Sequence, residues 1–308
     1  MIELPPNQIR RFYRGGRRIG AFRGLPERSD EAPEDWVAST TTAYGESELG
    51  LSRLPDGVLL EDVLARDPAR FFEPAHRDRF GSQPLILIKL LDAGERLPVH
   101  LHPDDAFAAS YLGAPCGKTE AWIILEAEAG AQVHLGFRGP ITGDELKELV
   151  AAGGVLEELN PIPVAAGDSI FVPAGLPHAI GEGILLLELQ QPADLSLLLE
   201  GQDFLGLAPD VALAAVDRSP PDLEWLRRGR GTTLFPEEAD RFFRAELVAG
   251  GTRLDAGYSV LVGHEGDGMA GDVPIRRGST VLVPFAAGEV ELTGSCQAIR
   301  CRPPVPGR

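Results

Sequence analysis

The stretch "GERLPVHLHPDD" (94–105) sets two histidines, His100 and His102, one residue apart at the end of an apolar run and closes them with Pro103. In an extended chain residues i and i+2 point to the same face, so both imidazoles aim into one space at the separation two ligands of one metal ion need. Pro103 ends the strand just past them because it has no N–H to give to a ladder. Taken alone, the stretch is equally compatible with two histidines on a solvated strand face. A second stretch, "GDSIFVPAGLPH" (167–178), widens the reading. It reads as a short strand ending at Pro173, a tight turn permitted by Gly175, and a returning segment that begins at His178.

Composition bounds what surrounds these stretches. A chain of 308 residues is long enough for one large domain or two smaller ones. Its 36 glycines and 26 prolines favour turns over long helices. A formal charge of −17 excludes nucleic acid and anionic membrane as natural partners, since both would be repelled, but leaves a small-molecule substrate open. No apolar run approaches the ~20 residues that span a bilayer. The opening "MIELPPNQIRRFYRGG" lacks the apolar core of a signal peptide. Cys116, Cys296 and Cys301 are too few and scattered for a disulfide framework, so reduced thiols and a cytoplasmic location are expected. Of 29 basic residues only three are lysines: Lys89, Lys118 and Lys147.

Short apolar runs bounded by Gly and Pro predict strands at 84–91, 121–127, 168–174, 183–190, 258–263, 278–284 and 288–294. Only two regions look helical. "TGDELKELVAAGG" (142–154) opens with a Thr142/Glu145 capping box. Region 206–245 holds "PDVALAAV", "PPDLEWL" and "PEEADRFFRAEL" between prolines. The class is mostly β with small helical insertions. "AAGDSIFVPAGLPH" (165–178) and "RRGSTVLVPFAAGE" (276–289) share a Gly, five residues, then Pro, and the second copy has no terminal histidine. Two related β-barrels follow: residues 1–205 with the site and a helical insert near 142–154, then a connector and a metal-free barrel over 206–308.

The spacing of His-x-His and Pro-x-Gly-x-x-His resembles the two signature segments of the cupin superfamily, whose jelly-roll barrels carry metal ligands on the inner wall. Within it, "KLLDAGERLPVHLHPDD" (89–105), "GKTEAWIIL" (117–125) and "GDSIFVPAGLPHAIGEGILLLELQQPAD" (167–194) resemble the type I mannose-6-phosphate isomerases. The likeness is close over about 85 to 200 and looser at "EDWVAST" (34–40) and in the second barrel. The resemblance implies four metal ligands, His100, His102, Glu120 and His178, around a divalent ion, zinc first, with Mn, Co or Fe as alternatives. It implies a proton-transferring carboxylate at Glu188, a further acid at Asp194, and substrate contacts from Lys89 and Lys118. The implied reaction is aldose–ketose isomerisation, mannose 6-phosphate to fructose 6-phosphate, through an enediol. The strand around Glu188 is otherwise unbroken leucine, where a carboxylate is costly unless used.

The chain departs from that pattern at three places. His100 stands where the family usually has glutamine, a change that keeps a ligand. Leu198 and Pro98 stand where the family has the arginine and serine linked to phosphate, and leucine cannot replace a guanidinium fork. An arginine recruited from "RRFYRGGRR" or from "RRGRG" would restore the function, although each cluster taken singly reads as solvated surface. Otherwise the substrate is an unphosphorylated or other sugar. A cupin dioxygenase with iron and a non-catalytic sugar-binding regulator complete the alternatives. His76 and His134 are expected to be structural or surface residues, and Lys147 a solvated helix residue.

Overall fold

The computed structural model describes residues 1–26, 29–227, 229 and 232–307. Every apolar run predicted as a strand forms one, including Leu87–Ala93, Glu120–Ala127, Ser169–Val172, Ile184–Gln190 and Thr280–Val283. The strands assemble into four antiparallel sheets that fit two jelly-roll sandwiches. In the first, a six-stranded sheet is ordered Gln8–Ile9, Glu34–Val37, Leu87–Ala93, Ile184–Gln190, Glu120–Ala127, Ser169–Val172. The sheet facing it is ordered Leu197–Leu198, His100–Leu101, His178–Ile180, Gln132–Phe137, Leu159–Pro163. Leu87–Ala93 and Ile184–Gln190 are buried along their whole length, which is why both read as apolar runs with a rare charge embedded.

The second sandwich packs Ile2–Glu3, Thr280–Val283, Ser259–Glu265, Gln297–Arg302 and Arg244–Ala249 against a four-stranded sheet. One apolar core joins the two sandwiches: Ile19, Phe22, Leu90 and Leu186 belong to the same cluster as Tyr258, Val262, Leu282 and Ile299. The N-terminal pair Ile2–Glu3 reaches across to pair with Val281 and Leu282. The repeated pattern keeps its shape in both copies. Gly167 and Gly278 have φ of 95° and 80°, and each opens a four-residue strand that ends before a proline. After Pro173 the chain returns as His178–Ile180, whereas after Pro284 it enters a 3-10 turn, Phe285–Ala287.

Helices depart from expectation in two ways. The predicted helix forms as Gly143–Ala152 with both halves of its capping box, and Lys147 on it pairs with Asp210 at 2.8 Å. Further helical turns stand at Arg17–Phe22, Leu60–Arg66, Pro68–Phe71 and Pro74–Phe80. Pro68 and Pro74 sit at first helical positions, where the missing N–H costs nothing, so they start turns in a segment whose prolines argue against helix. Conversely, "PEEADRFFRAEL" is helical only as the 3-10 turn Glu237–Arg241; Arg244–Ala249 is a strand paired with Gln297–Arg302. Sheet pairing overrides local helical preference there. No helix among the described residues is long and apolar enough to cross a membrane.

Candidate metal centre and active site

Register brings the histidines together. His178 lies directly opposite His100 on adjacent antiparallel strands, and His102 follows on the same face. The three rings stand 4.2 to 5.0 Å apart between centroids. One nitrogen from each lies within 4.8 Å of the other two. Two glycines make this approach possible. Gly175, at φ +86°, turns the chain and gives its N–H to the His102 carbonyl at 2.8 Å. A Cβ on Gly117 would stand 2.4 Å from the Pro103 carbonyl, so only glycine lets the segment carrying Lys118 and Glu120 pass so close.

Each imidazole is oriented by a backbone carbonyl: Nδ1 of His100, His102 and His178 lies 2.8, 2.7 and 2.8 Å from the oxygens of Pro98, Leu195 and Leu176. A carbonyl only accepts, so Nδ1 carries the proton and each Nε2 turns a lone pair inward. Burial, reinforced by neighbouring cationic groups, pushes all three down to about 3, which keeps them neutral. Glu120 completes the set, with oxygens 2.9 Å from His102 Nε2 and 3.5 Å from His178 Nε2. An unpartnered inward imidazole nitrogen on His178, three neutral imidazoles and one carboxylate fit a divalent metal of the zinc class.

The facing sheet supplies the rest. Glu188 sits in register between Lys89 and Trp122, and Gln190 beside it lies opposite Glu120. Lys89 Nζ is 3.4 Å from Glu188 and 3.5 Å from Glu34, and lies 4.8 Å over the Trp36 ring. Lys118 Nζ is 3.0 Å from Glu120, 3.0 Å from His102 Nε2 and 3.7 Å from Glu188. Burial would lower Lys89, but Glu188 and Glu34 outweigh it and hold the ammonium above its ordinary value. Burial also lifts Glu188, and the negative charge of Glu120 adds to the lift, to about 8. Glu120 goes the other way: Lys118 and His102 overcome its burial and hold it well below the usual carboxylate range. Two neighbouring carboxyls with pKa values pushed apart are the arrangement of an ionised ligand beside a proton carrier.

All of the residues expected at the site, His100, His102, Glu120, His178, Glu188, Lys89, Lys118 and Asp194, are buried in this one region. Asp194 does not reach the histidines. It pairs with Arg11 at 3.0 Å and accepts the Tyr44 N–H at 3.0 Å. Burial would raise its carboxyl, but Lys89 and Arg11 hold it down at about 2. The surface reading of "RRFYRGGRR" fails at Arg11, whose side chain is only 18% exposed and faces the cavity. In "RRGRG", Arg227 pairs with Asp168, while Arg228 and Arg230 lie outside the described residues. Sequence reasoning also missed Glu34, which accepts Tyr13 Oη–H and Trp36 Nε1–H at 2.6 Å each and lies 3.3 Å from Arg11. Its only signal was the acid ahead of the tryptophan in "EDWVAST". His76, as expected, is structural: it stacks on Phe72 and bonds the Gln83 carbonyl.

The inner cavity is about 40 Å³ and is lined by His100, Glu120, Glu188 and both lysines. An outer cavity of about 400 Å³ shares Arg11, Phe12, Asp194, Ser196 and Leu198 with it.

The chain is similar to known mannose-6-phosphate isomerases. Over 196 residues, 61% of this chain, it is 34% identical to a mannose-6-phosphate isomerase of Streptococcus mutans, spanning 57% of that protein's length. It is 29% identical to the mannose-6-phosphate isomerase ManA of Bacillus subtilis, over 73% of this chain and 78% of that one. The crystal structure of the mannose 6-phosphate isomerase from Bacillus subtilis superposes with a TM-score of 0.77, at 23% identity, over 98% of this chain and 99% of that one. A mannose 6-phosphate isomerase bound with zinc and yttrium gives 0.77 at 16% identity, over 98% and 99%. These two likenesses establish the fold. No family model matches the chain.

Proposed function

We propose that this chain, which is similar to mannose-6-phosphate isomerases over part of their length, is a type I member of that family, a metal-dependent aldose–ketose isomerase acting on mannose 6-phosphate. The observation that carries the reading is the convergence of three neutral, inward-facing imidazoles and Glu120 beside a second carboxyl, Glu188, of opposite pKa tendency. His100, His102, Glu120 and His178 would hold the ion, which when bound polarises the substrate's carbonyl and hydroxyl oxygens.

Glu188 is the proposed base. It takes the proton from C2 of the aldose and returns it to C1, while the hydroxyl proton on O2 passes to O1, so that the ketose forms with no net gain or loss of atoms. A carboxyl lifted toward neutrality is better matched to that transfer than one at its ordinary value. Lys118, within reach of both Glu120 and Glu188, donates to the oxygens on which charge develops. Lys89 orients Glu188 and stands ready for a sugar hydroxyl. Asp194 acts through Arg11 rather than on the reacting carbons. The proposed division keeps the site residues within 1–205 and the second sandwich within 206–308, save for strand Ile2–Glu3, which pairs in the second sandwich. The three free thiols suit a cytoplasmic enzyme.

A coupled assay of the zinc-loaded protein tests the reading. Mannose 6-phosphate should be converted to its ketose with exchange of the C2 proton; oxygen consumption, or metal binding with no turnover of any sugar, would overturn it.

A further inference from the structure

Arg11 is, among the described residues, the one cation that lines both the inner and the outer cavity. Lys89 and Lys118 line only the inner one, at the end where the histidines and Glu188 stand. Arg11 is held from three sides. Its terminal nitrogens grip the two oxygens of Asp194 at 3.0 Å each, Glu34 lies 3.3 Å from Nε, and the Trp36 ring lies 5.9 Å beneath the guanidinium. Asp194 is in turn fixed by the Tyr44 N–H. Yet Nε is buried without a hydrogen-bond partner, and a guanidinium has five N–H groups, more than this clamp uses. The other guanidinium at the outer cavity, Arg10, is largely exposed and pairs with Glu31 at 2.9 Å. The inner cavity's lining also includes the apolar side chains of Phe12, Leu97, Ile180 and Leu198. The lining also carries four carboxylates against three cations. A divalent ion reverses that balance, so an anionic ligand is not repelled overall.

We propose that Arg11, preset by Asp194, Glu34 and Trp36, receives the distal phosphate of the substrate and sets the preference for phosphorylated over free sugar. The inference rests on the isomerase reading for the identity of the sugar. The reacting end lies among the histidines and Glu188, and the far end extends past Arg11 toward the larger cavity. Asp194 is then a positioning residue whose service is to hold the fork in one orientation.

The test uses zinc-loaded protein and a substrate-like pair that cannot isomerise, glucitol 6-phosphate and glucitol, with affinities measured by calorimetry. The wild-type protein should prefer the phosphorylated polyol, and Arg11→Gln should reduce that preference by about 10- to 100-fold, the worth of a charge-assisted hydrogen bond or two. Arg11→Lys, which keeps the charge but not the fork, should retain an intermediate preference and serves if the glutamine variant does not fold. In turnover, Arg11→Gln should raise KM for mannose 6-phosphate far more than it lowers kcat. Equal losses on both polyols, an unchanged preference, or no preference in the wild-type protein would overturn the proposal. An Arg11-dependent preference without turnover of mannose 6-phosphate would leave the anion site standing and overturn the isomerase reading instead.

Discussion

Glu188 is a carboxyl placed where a protein of this kind can least tolerate one, inside a strand buried along its whole length. It is retained by Lys89 and Lys118, and it is kept from being an ordinary ion-pair partner by Glu120. Glu188→Gln preserves shape and removes the proposed base. The variant should bind zinc as the parent does while kcat falls by about 10²- to 10⁴-fold and the C2 proton no longer exchanges with solvent. Exchange measured by NMR at the parent rate would remove Glu188 from this role. Asp194 makes a different prediction, about stability. Its carboxyl is lowered from 3.8 to about 2, so the folded state favours the ionised form. Its contribution is fully present above its ordinary pKa and is lost as pH falls through 3.8 toward 2. The difference corresponds to roughly 2 kcal/mol. In urea titrations Asp194→Asn should cost about that much at pH 7, and somewhat more because Arg11 is left buried without its partner. The gap from the parent should narrow as pH drops below 4, and a gap independent of pH would contradict the pairing.

At the scale of elements, the site depends on two close backbone passages. Gly117→Ala places a Cβ 2.4 Å from the Pro103 carbonyl and 2.5 Å from the Asp104 carbonyl carbon, both backbone atoms that cannot swing away. The segment bearing Lys118 and Glu120 must shift, and zinc affinity should fall about 10- to 100-fold, the usual cost of disturbing what orients a ligand. An unchanged affinity in a competition titration would show that the passage is not needed. The same elements explain what could be seen in advance. The spacing of His100 and His102 shows in local pattern alone, whereas Glu120, His178 and Glu188 were placed through the resemblance, with apolar neighbours that agree with their burial. Arg11, Tyr13 and Glu34 were not legible. Their arm is polar and arginine-rich, and only the pairing of Glu34–Val37 with Leu87–Ala93 turns it inward. Likewise Arg244–Ala249 could not be told from a helix until its partner Gln297–Arg302 was placed beside it.

Across the whole molecule, the second sandwich and the site share one apolar core, and the N-terminal strand crosses from one to the other. Phe171, in the strand that leads to His178, packs on Trp225 and Phe243 from the connector, and Ser169 Oγ donates to the Leu234 carbonyl at 2.6 Å. Such a molecule should unfold in one calorimetric transition, which zinc shifts upward as a whole because the ion binds only the folded state. Two resolved transitions, with only one responding to zinc, would contradict the shared core. The central claim is that four side chains scattered over 79 positions, from His100 to His178, close around a single cation. X-ray absorption at the zinc edge of the loaded protein tests it most directly. The account predicts one zinc per chain in a shell of nitrogen and oxygen at about 2.0–2.2 Å with the outer-shell signature of imidazole, lost in His102→Ala. Sub-stoichiometric zinc, or a sulfur shell at about 2.3 Å, would contradict it.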